Sequence, residues 1–361
     1  MAHNPILIAG GGIGGVTTAL ALALRQIPVI LFEQATEFTD VGAGIQLSPN
    51  CSRVLCALGL TQELAEQGFL PQYALFRHWR SGKIISESSL GKSAEEIFGA
   101  PYYHIHRSDL LNMLVGAAKA QPLIQLKLNS RIESSEETDA GVRVVVNGET
   151  FIGRGLIGAD GIHSKVRENL FGKQSPTFTG NVAWRALVPT NSLPKNLIQP
   201  AATAWWGPGK HFVHYYVQGG AMVNCVCVVE SKTWQEESWS IKGHFADLAA
   251  EFANWHPTIT TLLKNLDETK LYKWGLFDRP PMNQWSIGKT TLLGDACHPT
   301  LPFMAQGAAM AIEDAAVIAS CLHQQQDVAA AFLQYEKLRK ERTAMIQQLS
   351  RRNARVFHLK G

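Results

Sequence analysis

Three glycines near the start of the chain, Gly10, Gly12 and Gly15, fall in the spacing G-x-G-x-x-G. An acid, Glu33, follows about eighteen residues after the last of them. This set can hold a dinucleotide. Gly10 permits a tight turn, Gly12 lets a pyrophosphate reach backbone N–H groups at the positive end of a helix, and Gly15 lets that helix pack closely on the preceding strand. Glu33 can accept hydrogen bonds from a ribose 2′-OH, which favours an adenosine without a 2′-phosphate. Two further clusters carry reactive side chains. One is Gly158-Ala159-Asp160-Gly161-Ile162-His163-Ser164 with Val166-Arg167; the other is Gly294-Asp295-Ala296-Cys297-His298-Pro299 with Gln306-Gly307-Ala308-Ala309 and Glu313-Asp314. Between them, the stretch His211 to Val217 concentrates titratable rings. As a strand, its period-two alternation puts His211, Val213 and Tyr215 on one face and Phe212, His214 and Tyr216 on the other.

The elements that must position these residues are legible in outline. Residues 6–33 read as apolar strand, glycine turn, apolar helix and second strand. A glycine-bearing loop follows, then a helix start at Ser48-Pro49-Asn50 with Ser or Asn as cap. QYALFRHW and KIISESSL read as strands joined by the turn Ser81-Gly82, and a patterned helix begins at His106. LIQLKL, RIESSEE, VRVVVN and ETFIGR predict short antiparallel strands. From about Thr179 to Leu271 the chain is rich in Trp, Tyr and Val, with four strand-like stretches followed by two helical pieces. This predicts an antiparallel sheet with helices on one side, a natural pocket wall. Strand, loop and helix return from Lys289, and a long amphipathic helix runs from Val328. The fold class is therefore α/β. A discontinuous Rossmann-like domain (1–70, 101–178 and 272–361) carries an inserted substrate-side sheet with helices (71–100 and 179–271).

The bulk numbers exclude several classes. At 361 residues, with 46% hydrophobic and 17% charged residues, the chain can bury one large or two intimate cores. A net charge of +3 is too small to argue for nucleic acid. The basic KLRKER and RRNAR stretches predict a solvated helix face. Cysteines at 51, 56, 225, 227, 297 and 321 show no CxxC or metal spacing, so reduced thiols, no metal and a cytoplasmic location are expected. Cys225 and Cys227 share one strand face and suit apolar packing. No signal peptide or apolar run of about 18 residues is visible, so no membrane partner is expected. Monomer and homodimer both remain open.

Taken in order over nearly the whole chain, the glycine fingerprint with Glu33, the Asp160-Gly161 motif and the G-D-A-x-H-P motif at 294–299 resemble the single-component FAD-dependent aromatic hydroxylases, the group A flavoprotein monooxygenases of salicylate hydroxylase and 3-hydroxybenzoate 6-hydroxylase type. The resemblance implies FAD, with NADH or NADPH as a transient co-substrate lacking its own fingerprint, and O₂. It also implies oxygen transfer from a flavin C4a-hydroperoxide to an electron-rich ring. It places Gly10, Gly12, Gly15 and Glu33 at the ADP half and Arg107 at the FAD phosphates. Asp160 falls at a loop between FAD and NAD(P)H, Asp295 at the ribitol, and Gly307 and Ala308 at the flavin N1–C2=O edge. A helix N-terminus there would stabilise the negative charge of reduced flavin. Pro299 and Pro302 stiffen the loop beside the ring.

Relatives acting on 3-hydroxybenzoate or 6-hydroxynicotinate carry a histidine in a context matched here by Trp206-Gly207-Pro208-Gly209-Lys210-His211. This implies His211 as substrate-hydroxyl partner and base, with Tyr215 beside it. Two positions depart from the pattern. Gln46 stands where hydroxynicotinate-type enzymes have histidine, and Pro302 where 3-hydroxybenzoate enzymes place glutamine. The expected partner is a small aromatic hydroxy acid, salicylate- or hydroxybenzoate-like. A 6-hydroxynicotinate-type hydroxylase and an FAD reductase or oxidase that does not hydroxylate are the alternatives. Arg77 and Arg185 are strand-borne candidates for meeting a substrate carboxylate.

Overall fold

Short apolar runs buried on both faces build the first sheet. The computed structural model describes residues 4–38, 44–231 and 241–359; part of the glycine-bearing loop before Ile45 lies outside them. Five parallel strands are ordered Thr290–Leu292, Gly155–Gly158, Ile6–Ala9, Val29–Phe32 and Ile124–Lys127. All four residues of Ile6–Ala9 are buried, as a parallel strand covered by helices requires. The strand Ile124–Lys127 corrects the reading of LIQLKL as antiparallel. It follows the thirteen-residue helix Arg107–Lys119, and a helical crossover delivers the chain parallel to Val29–Phe32. The other three short strands of that region do form an antiparallel sheet.

The glycine turn behaves as its residues demand. Gly10 has φ +102°, and a Cβ there would lie 2.4 Å from the Ala159 carbonyl oxygen. At Gly15 a Cβ would lie 2.0 Å from the Gly10 carbonyl oxygen. A Cβ at Gly12 would meet nothing within 4 Å. Gly10 and Gly15 thus serve backbone packing, while Gly12 leaves an open face at the start of helix Ile13–Ala23.

The second sheet has eight strands, ordered Ile241–Lys242, Tyr272–Asp278, Thr177–Pro189, Met222–Glu230, Lys210–Val217, Ala201–Gly207, Tyr73–His78 and Ile84–Ser89. Its pairings are antiparallel except that of Ala201–Gly207 with Tyr73–His78. The sheet is therefore mixed, because Tyr73–His78 arrives from early in the chain and not by a hairpin. It also recruits Tyr272–Asp278, beyond the Leu271 boundary read from the sequence. On one face Trp184, Trp205, Phe212, Cys225 and Cys227 pack under helices Phe245–Glu251 and Pro257–Lys264. The other face turns toward the parallel sheet. Helix Gly307–Gln324 packs on helices Ile13–Ala23 and Val328–Val356, and Phe357 then reaches the second sheet beside Ala183, Val228 and Trp274. No described helix is long and apolar enough to cross a membrane.

Replacing Gly15 by alanine should force the first helix off its strand and cost about 1–3 kcal/mol by overpacking. The check is a urea unfolding midpoint with and without added FAD; an unchanged midpoint in both would contradict this role.

Candidate active site

Between the two sheets lies a cavity of about 960 Å³. Its wall includes Gly10, Gly12, Glu33, Arg107, Asp160, Asp295, Pro302, Gly307, Ala308, His211 and Tyr215. Of the cofactor-binding and catalytic residues expected from the sequence, Gly15 stands behind the wall, where it packs helix against strand.

The charged side chains cluster at the end nearest the glycine turn. Glu33 is fixed by backbone donors, its Oε2 accepting from Gly11 N (2.6 Å) and its Oε1 from Ala35 N (2.8 Å). A carboxylate so held still has lone pairs for further donors. Asp160 organises its own turn: Ser164 Oγ donates to Oδ1, and the Lys165 and Val166 N–H groups donate to Oδ2 at 2.7 and 3.1 Å. Burial nonetheless lifts its carboxyl above the usual range. Asp295 presents its surface to the cavity while enclosed by protein. Burial raises its carboxyl too, with His298 and Arg107 pulling the other way. Arg167 ties the two motif loops together, donating from Nη1 to Ala296 O (2.7 Å) and from Nη2 to Ile162 O (2.6 Å). Burial, then the nearby Arg279, lowers its pKa to about 10.

The loop 299–306 is held by a buried charge network that sequence reasoning missed. Asp314 is fully buried; its Oδ2 meets His298 Nε2 at 2.6 Å and its Oδ1 accepts from Arg339 Nε at 2.6 Å. Arg339 also donates to Glu313 (2.7 Å), and Arg342 Nη2 donates to the same carboxylate (2.9 Å). Glu313 accepts from Asn50 as well, and Gln306 donates to Ser48 Oγ (2.8 Å). Gln347 and Ser350 on the last helix donate to the Pro299 and Leu301 carbonyls at 2.8 and 2.6 Å. The expected solvated face of KLRKER is thus corrected. Arg339 is only 4% exposed because an acid buried on helix Gly307–Gln324 must be paired. The signal was Glu313-Asp314 on an otherwise apolar helix.

At the opposite end the wall is aromatic and uncharged. His211, Val213 and Tyr215 face the cavity, as the alternation requires, while Phe212 lies under the helices and His214 accepts from Trp205 Nε1 (3.0 Å). The turn Pro208-Gly209, with Gly209 at φ +67°, sets His211 directly across from Trp206. His211 is 2% exposed, and burial, then the adjacent His358, lowers its pKa well below the ordinary value, so the ring is neutral. Burial also raises the Tyr215 phenol, which keeps its proton. Tyr102 Oη donates to Gln46 Oε1 (2.8 Å). The Trp206 indole N–H, on the wall, has no hydrogen-bond partner among the described residues. Tyr102, Phe303 and Phe357 were not singled out from sequence, since they share no local motif, and Trp206 entered only as part of the His211 context. Neither Arg77 nor Arg185 reaches the wall. Arg77 lies over the Trp205 ring and donates to Gly82 O (2.9 Å), and Arg185 lies over Tyr272 and Trp274. The eight-stranded sheet contributes no Lys or Arg to the cavity among the described residues.

The family model described as "FAD binding domain" matches residues 3–353. The chain belongs to this FAD-binding family. It is 38% identical over 353 residues to 6-hydroxynicotinate 3-monooxygenase of Bordetella bronchiseptica, covering 96% of this chain and 91% of that one. It is 36% identical over 361 residues to 3-hydroxybenzoate 6-hydroxylase 1 of Aquipseudomonas alcaligenes, covering 99% and 91%. The crystal structure of Klebsiella pneumoniae HpxO complexed with FAD and uric acid superposes with a TM-score of 0.89 at 28% identity, covering 99% and 89% of the two chains. The protein is an FAD-dependent aromatic monooxygenase that uses NAD(P)H and O₂. Its cavity fits the cofactor: Gly12 leaves open space beside an uncapped helix start, and Asp295 turns a carboxylate into the cavity.

Arg339→Met should cost about 3–5 kcal/mol at neutral pH, because Asp314 then stays buried without its cation. Burial would raise the Asp314 carboxyl, but His298 and Arg339 outweigh it and hold it below its ordinary value. The stabilisation is therefore present above the unfolded pKa of about 3.9 and lost as pH falls through the folded one. Urea unfolding of both proteins at pH 7 and in acid should show the gap narrowing in acid; a constant gap would refute the pairing argument.

Proposed function

We propose that the protein hydroxylates a small aromatic ring that already carries a hydroxyl group, of the hydroxybenzoate or hydroxynicotinate kind. The observation that carries this reading is the neutral, cavity-facing His211 with Tyr215 on the same strand face. A ring hydroxyl is made more nucleophilic by losing its proton, and a neutral imidazole within reach can take it. Tyr215, kept protonated, donates a hydrogen bond to the ring's oxygen or carboxylate. The Trp206 indole N–H is a second donor, and Phe303 and Phe357 close the surroundings against water.

Gly12, Glu33, Arg107 and Asp295 would hold FAD, with Gly307 and Ala308 opening a helix toward it; Asp160 orders the adjoining loop and Pro302 stiffens the loop beside the ring. FAD supplies the redox step, taking electrons from NAD(P)H and activating O₂. A substrate carboxylate would rest on neutral donors, since the sheet wall offers no cation. The same observation favours a second reading, an uncharged N-heteroaromatic ring. The HpxO relative, complexed with uric acid, supports it.

The test is NADH and NADPH oxidation with parallel O₂ and H₂O₂ measurement across salicylate, 3- and 4-hydroxybenzoate, 6-hydroxynicotinate and uric acid. One compound should accelerate oxidation without matching peroxide and give a hydroxylated product. His211→Gln should lower that hydroxylation rate about 10²- to 10⁴-fold, the usual contribution of a general base. Stoichiometric peroxide with every compound, or wild-type rates in His211→Gln, would reject the reading.

A further inference from the structure

His211 does not end at the cavity wall. Its Nδ1 lies 2.8 Å from Nε2 of His358, and Nδ1 of His358 lies 3.1 Å from Oε1 of Glu230. The His358 side chain is 2% exposed and that of Glu230 is 61% exposed. These three side chains therefore run from the cavity to solvent in two hydrogen bonds. The hairpin turn beside His211 anchors both outer members. Gly209 N donates to the His358 carbonyl (3.2 Å), and Glu230 N donates to the Gly209 carbonyl (2.9 Å).

The chemistry of the outer end sets the tautomers. An exposed carboxylate only accepts, so Nδ1 of His358 carries the proton. Nε2 of the neutral ring then accepts, and Nδ1 of His211 must donate to it. The Nε2 atom of His211 is left with its lone pair. That is the state a base needs before it receives a proton.

Resting on the reading of His211 as the base, we infer that His358 and Glu230 form a proton relay linking the substrate site to solvent. The ring O–H bond breaks as His211 Nε2–H forms. The Nδ1 proton of His211 passes to Nε2 of His358, whose Nδ1 proton passes to the Glu230 carboxylate and on to water. Each imidazole gains one proton and loses one, so no charge accumulates on either imidazole, the negative charge stays on the ring oxygen, and no electrons move. The three transfers in reverse return a proton to the product oxygen and restore the starting tautomers. His358 and Glu230 act through His211 and are positioning residues.

The test uses FAD-loaded protein labelled with ¹⁵N-histidine. Long-range ¹H–¹⁵N spectra, assigned with His211→Gln and His358→Gln, should place the proton of both rings on Nδ1. In Glu230→Ala, His358 should lose that fixed tautomer, and His211 with it. With 3-hydroxybenzoate and 6-hydroxynicotinate as probes, Glu230→Ala and His358→Gln should lower kcat about tenfold, less than the loss expected for removing the base, with KM changed less than about twofold. A wild-type His211 protonated on Nε2 would overturn the relay. So would unchanged kcat in both variants, or losses confined to KM. If the wild type turns over neither probe, the substrate reading falls and the tautomers alone decide the relay.

Discussion

A carboxylate without solvent must be paired, and Asp314 is paired by three groups from two elements, the G-D-A loop and the C-terminal helix. Gly294 N donates to it at 3.2 Å, His298 reaches it from the same motif loop, and Arg339 reaches it from the C-terminal helix. This one buried anion fixes the distance between the G-D-A loop, helix Gly307–Gln324 and helix Val328–Val356. The wall residues of the G-D-A loop and of the helix that follows it depend on that spacing. Asp295 is held toward the cavity, Pro302 is held in its short turn, and Gly307 begins its helix at the wall. The pairing is expensive to assemble, since each ion gives up its hydration, and it confers geometry more than net stability. A monooxygenase site needs that geometry, because a displacement of about an ångström at the reacting atoms is costly.

The two sheets divide the work by polarity. The carboxyl ends of the parallel strands present Glu33, Asp160 and Asp295 with Arg107 nearby, and the open face at Gly12 offers backbone N–H groups. The mixed sheet presents Ala204, Val213, Val226, Val228 and aromatic rings. On the proposed reading, a charged, hydrogen-bonding cofactor and an apolar ring meet opposite walls of one cavity. The last turn of the C-terminal helix joins the two, because it carries Asn353 and Phe357 to the cavity after Arg339 has closed the ion network.

Local patterns were the legible part. Gly10, Gly12, Glu33, Asp160 and Asp295 reach the cavity because each belongs to a short motif whose neighbours position it. For His211 and Tyr215, strand alternation put them on one face, and the resemblance at Trp206–His211 chose that face. What could not be read depends on contacts across the chain. Arg339 sits in a run of charges that looks solvated until its partner 25 positions earlier is placed on the facing helix. His358 meets His211 across 147 positions. The parallel pairing of Ile124–Lys127 was hidden because a four-residue strand of alternating apolar and polar residues carries no mark of its partner's direction. The mixed sheet extends to Asp278 for a similar reason: Tyr272–Asp278 has a strand-like composition that suits either sheet.

The same burial that protects the reaction also creates its acid–base problem. Enclosing His211 among Phe303, Phe357 and His358 excludes water from the ring, and it holds the imidazole neutral. A base so enclosed can take a proton only if the resulting cation is stabilised or the charge is passed on. Among the described residues, the cavity wall from the mixed sheet supplies no carboxylate to pair with an imidazolium; an exposed acid that could receive the charge is Glu230, two hydrogen bonds away. On the proposed reading of His211 as the base, dryness at the ring and acid–base capacity at its oxygen are compatible because the C-terminal segment places a second imidazole between His211 and Glu230. The segment that completes the apolar wall, through Phe357, also supplies the proposed route for charge to leave, through its next residue.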